Sequence, residues 1–310
     1  MVMKRLVIAT TLLALGCLPA LAQPKPAVSH ALKPDLAYGA YQRGFFLTAK
    51  KEAEERLKKQ PKDAAAMTLL GEIYSQGLGV PANPKIAADW YDKAAQLNDP
   101  HAMSILGLMM YEGIGVPRDA ARGKILLEKS AGKGNALAAY NLGLIMISSD
   151  SPVEIAHAAM LFQKAAEADI PDAQHALGFL YLQGRGLEKN SEEAAKWFLR
   201  AADNGSIAGE VEYAILAYKG EGMPANAELA AKYFKRAAYK GNAIAQNRLA
   251  RLYAVGRGVP QDKVEAASWH MLAASKGLAD AWLDADLRDL SRDDQARAER
   301  IMRERAASES

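Results

Sequence analysis

The chain repeats itself with a period of about 36 residues, and this period constrains the fold more than any other feature. A Leu-Gly pair or its equivalent recurs at intervals of 36, 36, 35, 36 and 36 residues. It begins at Leu70, Leu106, Leu142, Leu177, Tyr213 and Leu249. Units of this length cannot bury their apolar faces alone and stack on a shared core. The sequence therefore predicts six full repeats over residues 66–280, although the length of 310 residues alone would favour two domains.

Each repeat is predicted to form two helices. In the first repeat, Ala66, Leu70 and Tyr74 are four residues apart, which places them on one face of a helix ending near Gln76. Gly77 follows, and glycine adopts the left-handed conformation that ends many helices without the cost of a β-carbon.

A glycine and a polar residue indicate how the second helix joins the first. Gly71 lies beside the apolar face, where the lack of a side chain lets the second helix approach closely. Asn83 is a typical N-cap residue, whose side-chain oxygen accepts from the free amide groups at a helix start. The second helix carries alanines and two aromatic residues over 88–95, and a turn such as Gly134-Asn135 leads to the next repeat.

At these positions the sequence resembles the Sel1-like repeat family, over about residues 66–280. The sixth repeat carries the pattern at Ala245, Leu249, Tyr253, Gly256, Gly258, Val259, Trp269, Ala273, Ala274 and Gly277. The resemblance implies an all-α fold, a right-handed α-solenoid of antiparallel helix pairs similar to tetratricopeptide repeats, and a role in assembling other proteins. Many secreted relatives hold each repeat with a disulfide, and this chain departs from them because its repeats contain no cysteine. It is more similar to periplasmic members that regulate sensor kinases or envelope polysaccharide production.

The amino end predicts export. Lys4 and Arg5 precede an apolar run that ends in small residues, which is typical of a secretory signal peptide over residues 1–22, cleaved after Ala22. An alternative is a lipoprotein signal with a lipid anchor at Cys17, but Ala14 stands where such signals usually carry Leu. Residues 23–34 contain three prolines and are predicted to form a flexible leader. We expect a periplasmic or secreted protein.

Charge and composition exclude several classes of ligand. Removal of Lys4 and Arg5 lowers the formal net charge from +3 to +1, whereas nucleic acids and anionic membranes attract strongly basic proteins. No second stretch is apolar enough to span a bilayer. The five histidines lack the spacing of metal ligands, so we expect neither a metal nor a cofactor.

Two motifs that could suggest catalysis fit a repeat protein better. The Gly-x-Gly pairs follow helices rather than strands, unlike a dinucleotide-binding turn. Ser130 and Lys133 have the Ser-x-x-Lys spacing of penicillin-recognising enzymes, but Ser130 occupies the small packing position of the second helix and the companion motifs are missing. The sequence therefore predicts a protein that is not an enzyme.

The first helices differ between repeats on the side opposite their apolar stripe. The positions two, six and nine residues after the leading small residue are polar or small in the end repeats, as at Thr68, Glu72, Asn247 and Arg251. In the middle repeats eleven of the twelve are large or aromatic, namely Leu108, Tyr111, Tyr140, Leu144, Ile147, His175, Phe179, Leu182, Val211, Ile215 and Tyr218. One interpretation is an apolar concave groove that binds a helix or an extended peptide of a partner protein. The other is that neighbouring first helices bury these residues against each other.

The segments that depart from the repeat pattern have their own predictions. Residues 35–65 resemble a divergent helix pair, with Tyr38, Tyr41, Phe45 and Phe46 predicted to supply the face that the first repeat covers. Residues 281–310 are predicted to form capping helices, the last starting at Ser291. The third repeat replaces Gly-x-Gly with residues 148–150 and is one residue shorter, which indicates either a loop variant or a hinge.

Three functions remain open at this point. The recurrent features favour an exported scaffold that binds a sensor kinase's exported domain or an envelope enzyme. A cell-wall or β-lactam-directed hydrolase would require Ser130 and Lys133. A secreted factor that acts on a host cell is compatible with the signal peptide.

Overall fold

The computed structural model describes residues 35–308, and these residues form sixteen α-helices and no β-strand. The first six helices are α1 (Leu36–Gln42), α2 (Phe46–Lys59), α3 (Ala64–Gln76), α4 (Pro84–Gln96), α5 (Pro100–Glu112) and α6 (Ala120–Gly132). They are followed by α7 (Ala136–Ile147), α8 (Pro152–Glu167), α9 (Pro171–Gln183), α10 (Ser191–Asp203), α11 (Ile207–Lys219) and α12 (Ala227–Tyr239). The last four are α13 (Ala243–Val255), α14 (Lys263–Ser275), α15 (Ala281–Asp286) and α16 (Arg292–Ser308).

The chain divides into two compact units, and the division falls after Ala138, within α7. In the first unit α3 pairs with α4 and α5 pairs with α6. In the second unit the pairs are α9 with α10, α11 with α12, and α13 with α14. The predicted signal peptide, the leader and Cys17 lie outside the described residues.

The caps of the helices follow the predictions. Gly77 ends α3 in the left-handed conformation with φ of 69°, and the Asn83 side chain accepts from the Ile86 amide at the start of α4. The same two devices recur at Gly220 and Asn226 in the second unit. Local sequence therefore sets where these helices begin and end.

The glycine in the middle of a first helix allows an aromatic ring to pack against its backbone. Tyr91 of α4 is 1% exposed and lies over Gly71 of α3. Phe198 of α10 lies over Gly178 of α9 in the same way. The predicted role of this glycine in close helix packing is confirmed.

The second glycine of a Gly-x-Gly pair has a role that was not predicted. All five such glycines take a left-handed φ, and three of them lie against the first backbone carbonyl of the preceding repeat's second helix. The pairs are Gly115 with Pro84, Gly222 with Ser191, and Gly258 with Ala227. A β-carbon would collide with that carbonyl, so glycine is required by the conformation and by the contact between repeats.

The prediction for the amino-terminal helix pair is partly wrong. Tyr38 and Phe45 are 45% and 59% exposed, so neither belongs to the face that the first repeat covers. Tyr41 and Phe46 are partly buried, with ring centroids 5.6 Å apart. The buried face of α1 and α2 is formed by Ala37, Ala40, Ala49 and Ala53. Small side chains let these helices approach closely, and the larger aromatic side chains are left outside.

The carboxyl-terminal helix covers the last repeat. Ser291 accepts from the Asp294 amide and donates to its carboxylate, which caps α16 as predicted. Arg305 lies 3.8 Å from the centroid of the Trp269 ring and donates to Glu265 at 2.7 Å. The helix is thus joined to α14 by a cation–π contact and an ion pair.

Candidate partner-binding surface

The residues predicted to bind a partner lie on the first helices of the repeats, and each unit carries its own part of them. We call their accessible part the first-helix surface. In the first unit it consists of Leu108 and Tyr111 of α5, which are both partly buried.

In the second unit the first-helix surface extends over α7, α9 and α11. Its members are Tyr140, Leu144, Ile147, His175, Phe179, Leu182, Ile215 and Tyr218. Leu144 is the most open at 37% exposure, and the others are partly buried. These side chains therefore contact both the core and the solvent. They form neither the fully open groove nor the fully buried contact between first helices that the sequence left as alternatives.

Val211 differs from the other predicted residues. It is 4% exposed and belongs to the apolar core of the second unit. It sits two residues after Gly209, whose missing side chain lets α11 pack tightly against Ala201 and Ala202 of α10. Val211 is therefore placed in the core rather than on the first-helix surface.

An aromatic cluster supports the middle of this surface. His175 packs edge-on against Phe179 at 4.9 Å between centroids, and Phe179 packs edge-on against the buried Phe198 at 5.2 Å. Burial lowers the pKa of His175 to about 4, so the ring is neutral at physiological pH. The rings of Phe179 and Phe198 thus pack against the neutral imidazole of His175, which forms part of the first-helix surface.

The second helices and the loops fix further members of the surface. The Tyr140 ring packs against Phe162 at 5.9 Å. Arg257 donates to the Tyr218 hydroxyl at 3.0 Å and stacks on its ring at 4.3 Å. Arg185, also the middle residue of a Gly-x-Gly turn, donates to the Ile147 carbonyl at 2.6 Å. The middle residue of the turn therefore reaches back to the preceding repeat, a contact that spacing alone did not reveal.

The polar ends of the array are bound to neighbouring helices. In the first unit, Glu72 accepts from His101 at 2.9 Å if that ring nitrogen is protonated. In the second unit, Asp280 accepts from Asn247 at 2.7 Å and from Arg251 at 2.6 and 2.8 Å. These partners raise the pKa of His101 and lower that of Asp280. The end positions therefore join the first helix of a repeat to the start of the helix that follows that repeat, and the only signal in the sequence was complementary polar residues about 30 positions apart.

The geometry around Ser130 fits a packing role. Ser130 is fully buried and its hydroxyl donates to the Pro100 carbonyl, while Lys133 lies on the exposed cap of α6. Within residues 35–308, no cluster of three or more His, Cys, Asp or Glu side chains could hold a metal ion. No helix in this range combines the length and apolar character needed to cross a membrane.

Comparisons with known proteins agree with this architecture. A sequence profile of the Sel1 repeat matches residues 64–99, 100–135, 136–170, 171–206, 208–242 and 243–278. The chain is similar to a solved Sel1 repeat protein from Oxalobacter formigenes, with 29% identity, a TM-score of 0.65, and coverage of 77% of this chain and 98% of that one. It is also similar to c5321, a protective antigen present in uropathogenic Escherichia coli strains that displays an SLR fold. There the identity is 24%, the TM-score 0.53, and the coverage 88% of this chain and 68% of that one. The predicted all-α fold of stacked helix pairs is confirmed.

Proposed function

The chain belongs to the Sel1 repeat family, whose members are generally scaffolds for protein–protein interaction, and we propose that it is an exported scaffold that binds a partner protein of the cell envelope. The partner would be the exported domain of a sensor kinase or an envelope-assembly enzyme. The protein would act through binding alone, in keeping with a family that is typically not catalytic.

The observation that carries this proposal is the first-helix surface of the second unit. Eight side chains at positions that are polar or small in the first and sixth repeats are apolar or aromatic here, and they remain partly accessible. Contiguous apolar surface of this kind marks interaction sites in soluble proteins. Its rows at helical spacing suit an amphipathic helix or an extended segment of a partner.

Two aromatic side chains of the first-helix surface are already fixed in position, which favours a role in binding over exposure without a function. Phe179 and Tyr218 are held by Phe198 and Arg257, so little side-chain freedom is lost when a partner covers them. Aromatic residues that are already ordered are the usual centres of binding energy in protein interfaces.

Export is the second part of the proposal, and it depends on the sequence of residues 1–22. Cell fractionation with an antibody tests it. We expect the mature form, shortened by the signal peptide, in the periplasm. Retention of the uncleaved chain in the cytoplasm would contradict an envelope function, and release into the medium would favour a factor that acts on another cell.

A pull-down from envelope extract tests the surface. The baits are the mature protein, a variant with Leu144→Ser and Leu182→Ser, and a control with Val153→Ser and Met160→Ser on α8. Val153 and Met160 are 78% and 63% exposed, so the control removes at least as much accessible apolar surface, on a second helix. We expect a partner retained by the native bait and the control and lost from the Leu144/Leu182 variant. Equal retention by all three baits would contradict the proposal.

A further inference from the structure

A cleft of about 490 Å³ lies between the second helices of the first unit, and none of its lining residues belongs to the first-helix surface. Its walls are α4 and α6. Buried Met103 and Leu106 of α5 form its floor, and Leu126 of α6 adds a partly exposed apolar side chain. The cleft therefore has an apolar base between two helices.

The α6 wall of the cleft is cationic. Arg122, Leu126, Lys129 and Lys133 are spaced by four, three and four residues, which places them in one row along the helix. At 1.5 Å per residue this row is about 16 Å long. Leu126 therefore has Arg122 on one side of it in the row and two lysines on the other.

In α10 and α12 of the second unit, the positions equivalent to these lysines are occupied by polar side chains that have partners. Arg200 of α10 pairs with Asp169 at 3.0 Å. Arg236 and Lys240 of α12 both pair with the buried Glu210, at 2.8 and 2.9 Å. In these two repeats the cations therefore find carboxylates on the preceding turn or on the first helix.

In the cleft those carboxylates are missing. The positions of Asp169 and Glu210 correspond to Asn98 and Met103, and both line the cleft. Within the described part of the chain, neither Lys129 nor Lys133 has an acidic side chain within 4 Å. Asp92 on the opposite wall accepts from Gln96 at 2.6 Å and lies 4.0 Å from Arg122.

We propose that this cleft binds an acidic segment of a protein, with carboxylates on Lys129 and Lys133 and an apolar side chain against Leu126. The carboxylates take the place that Asp169 and Glu210 fill in the second unit. The row on α6 accommodates a short segment with acidic residues on both sides of an apolar one. This site is distinct from the part of the first-helix surface that carries the proposed function, because that part lies in the second unit and the cleft in the first.

The lining favours a peptide over a nucleic acid. None of the residues that line the cleft is aromatic, whereas single-stranded nucleic acids are held by bases stacked on aromatic rings. Asp92 also lies on the wall and would repel a continuous phosphate backbone. An acidic peptide can place its apolar residue over Leu126 and its carboxylates away from Asp92.

Selection from a random peptide library displayed on phage tests the proposal. The mature protein is compared with Lys129→Glu/Lys133→Glu and with the control Lys232→Glu/Lys235→Glu. All four lysines are exposed and both variants change the net charge equally, so loss of folding is not expected. The Leu144→Ser/Leu182→Ser variant is a fourth arm that reports on the first-helix surface separately.

We expect selected peptides enriched in Asp and Glu around an apolar residue, with affinity for the Lys129→Glu/Lys133→Glu variant reduced about tenfold or more. The control and the Leu144→Ser/Leu182→Ser variant should bind them normally. Selection of peptides without acidic enrichment, unchanged binding to the Lys129→Glu/Lys133→Glu variant, or no selection above background would overturn the proposal. Tighter binding of a labelled single-stranded oligonucleotide than of the selected peptides would also overturn it.

Discussion

The ring of Tyr91 lies over Gly71 so closely that a β-carbon at residue 71 would be 2.6 Å from it. The Gly71→Ala variant should therefore lower the free energy of unfolding by about 1 to 3 kcal/mol, the usual cost of overpacking a core. Urea denaturation followed by circular dichroism measures the change. Gly132→Ala is the matched control, because a β-carbon there meets nothing within 4 Å and alanine favours the helix. Equal stability of the two variants would contradict this account.

The second glycine of the Gly-x-Gly pair should tolerate substitution less well than a glycine with similar backbone and open space. Gly222 has φ of 75° and faces the Ser191 carbonyl, whereas Gly205 has φ of 93° and nothing within 4 Å of its missing β-carbon. Gly205→Ala should cost about 1 to 2 kcal/mol through backbone strain alone. Gly222→Ala should cost clearly more, because it adds a collision between repeats. Thermal denaturation of both variants measures the difference, and a larger loss for Gly205→Ala would disprove the role of the contact.

His175 should make the second unit less stable in mild acid. Burial lowers the pKa of His175 in the folded chain from the ordinary histidine value of 6.5 to about 4, so the unfolded chain binds the proton more readily. The contribution of neutral His175 to the free energy of unfolding is complete above pH 6.5 and is lost as the pH falls towards 4. The expected loss between about pH 7.5 and about pH 5 is about 2 kcal/mol, from about 1.4 kcal/mol per pH unit.

The measurement for His175 is the difference in unfolding free energy between the native protein and His175→Leu at each pH. The difference isolates His175 from His101, whose raised pKa acts in the opposite direction because its stabilising contact is lost as the pH rises. A pH-independent difference would show that His175 titrates normally in the folded chain.

Asp280 combines an ion pair with a helix cap, and two substitutions should separate them. Asp280→Asn keeps a good cap for α15 but removes the charge that holds Arg251. Asp280→Ala removes both, and we expect it to be less stable than Asp280→Asn by about 1 kcal/mol. Urea denaturation followed by tryptophan fluorescence suits the site, because Arg251 also stacks on Trp282 at 5.3 Å. If both variants were equally stable, the cap would contribute nothing.

Much of the fold could be predicted because its determinants are local and recur. Gly77 and Asn83 act within one turn of helix, so their roles are visible from the sequence alone. The recurrence of small residues such as Gly71 also indicated which faces meet. Six copies of the same pattern made each assignment more certain than any single copy would.

The first-helix surface and the end of the array were harder to predict because they depend on distances between helices. Helical spacing placed Val211 and Leu144 in the same class, yet one is 4% and the other 37% exposed. At the amino end, large apolar side chains were expected inside, but Ala37 and Ala40 allow a closer approach and leave Tyr38 outside. The carboxylates that pair with Arg200 and Arg236 follow no short motif.

The glycine contacts between repeats also bear on how such a gene can change in length. Because Gly258 meets the start of α12 as Gly222 meets the start of α10, an in-frame duplication of one whole repeat recreates the same junction. Recombination between copies can therefore lengthen or shorten the protein without any compensating substitution. A gain or loss of a single codon would instead shift the glycine away from the carbonyl that it contacts. The one-residue deletion in this chain falls in the third repeat, whose turn lacks both glycines.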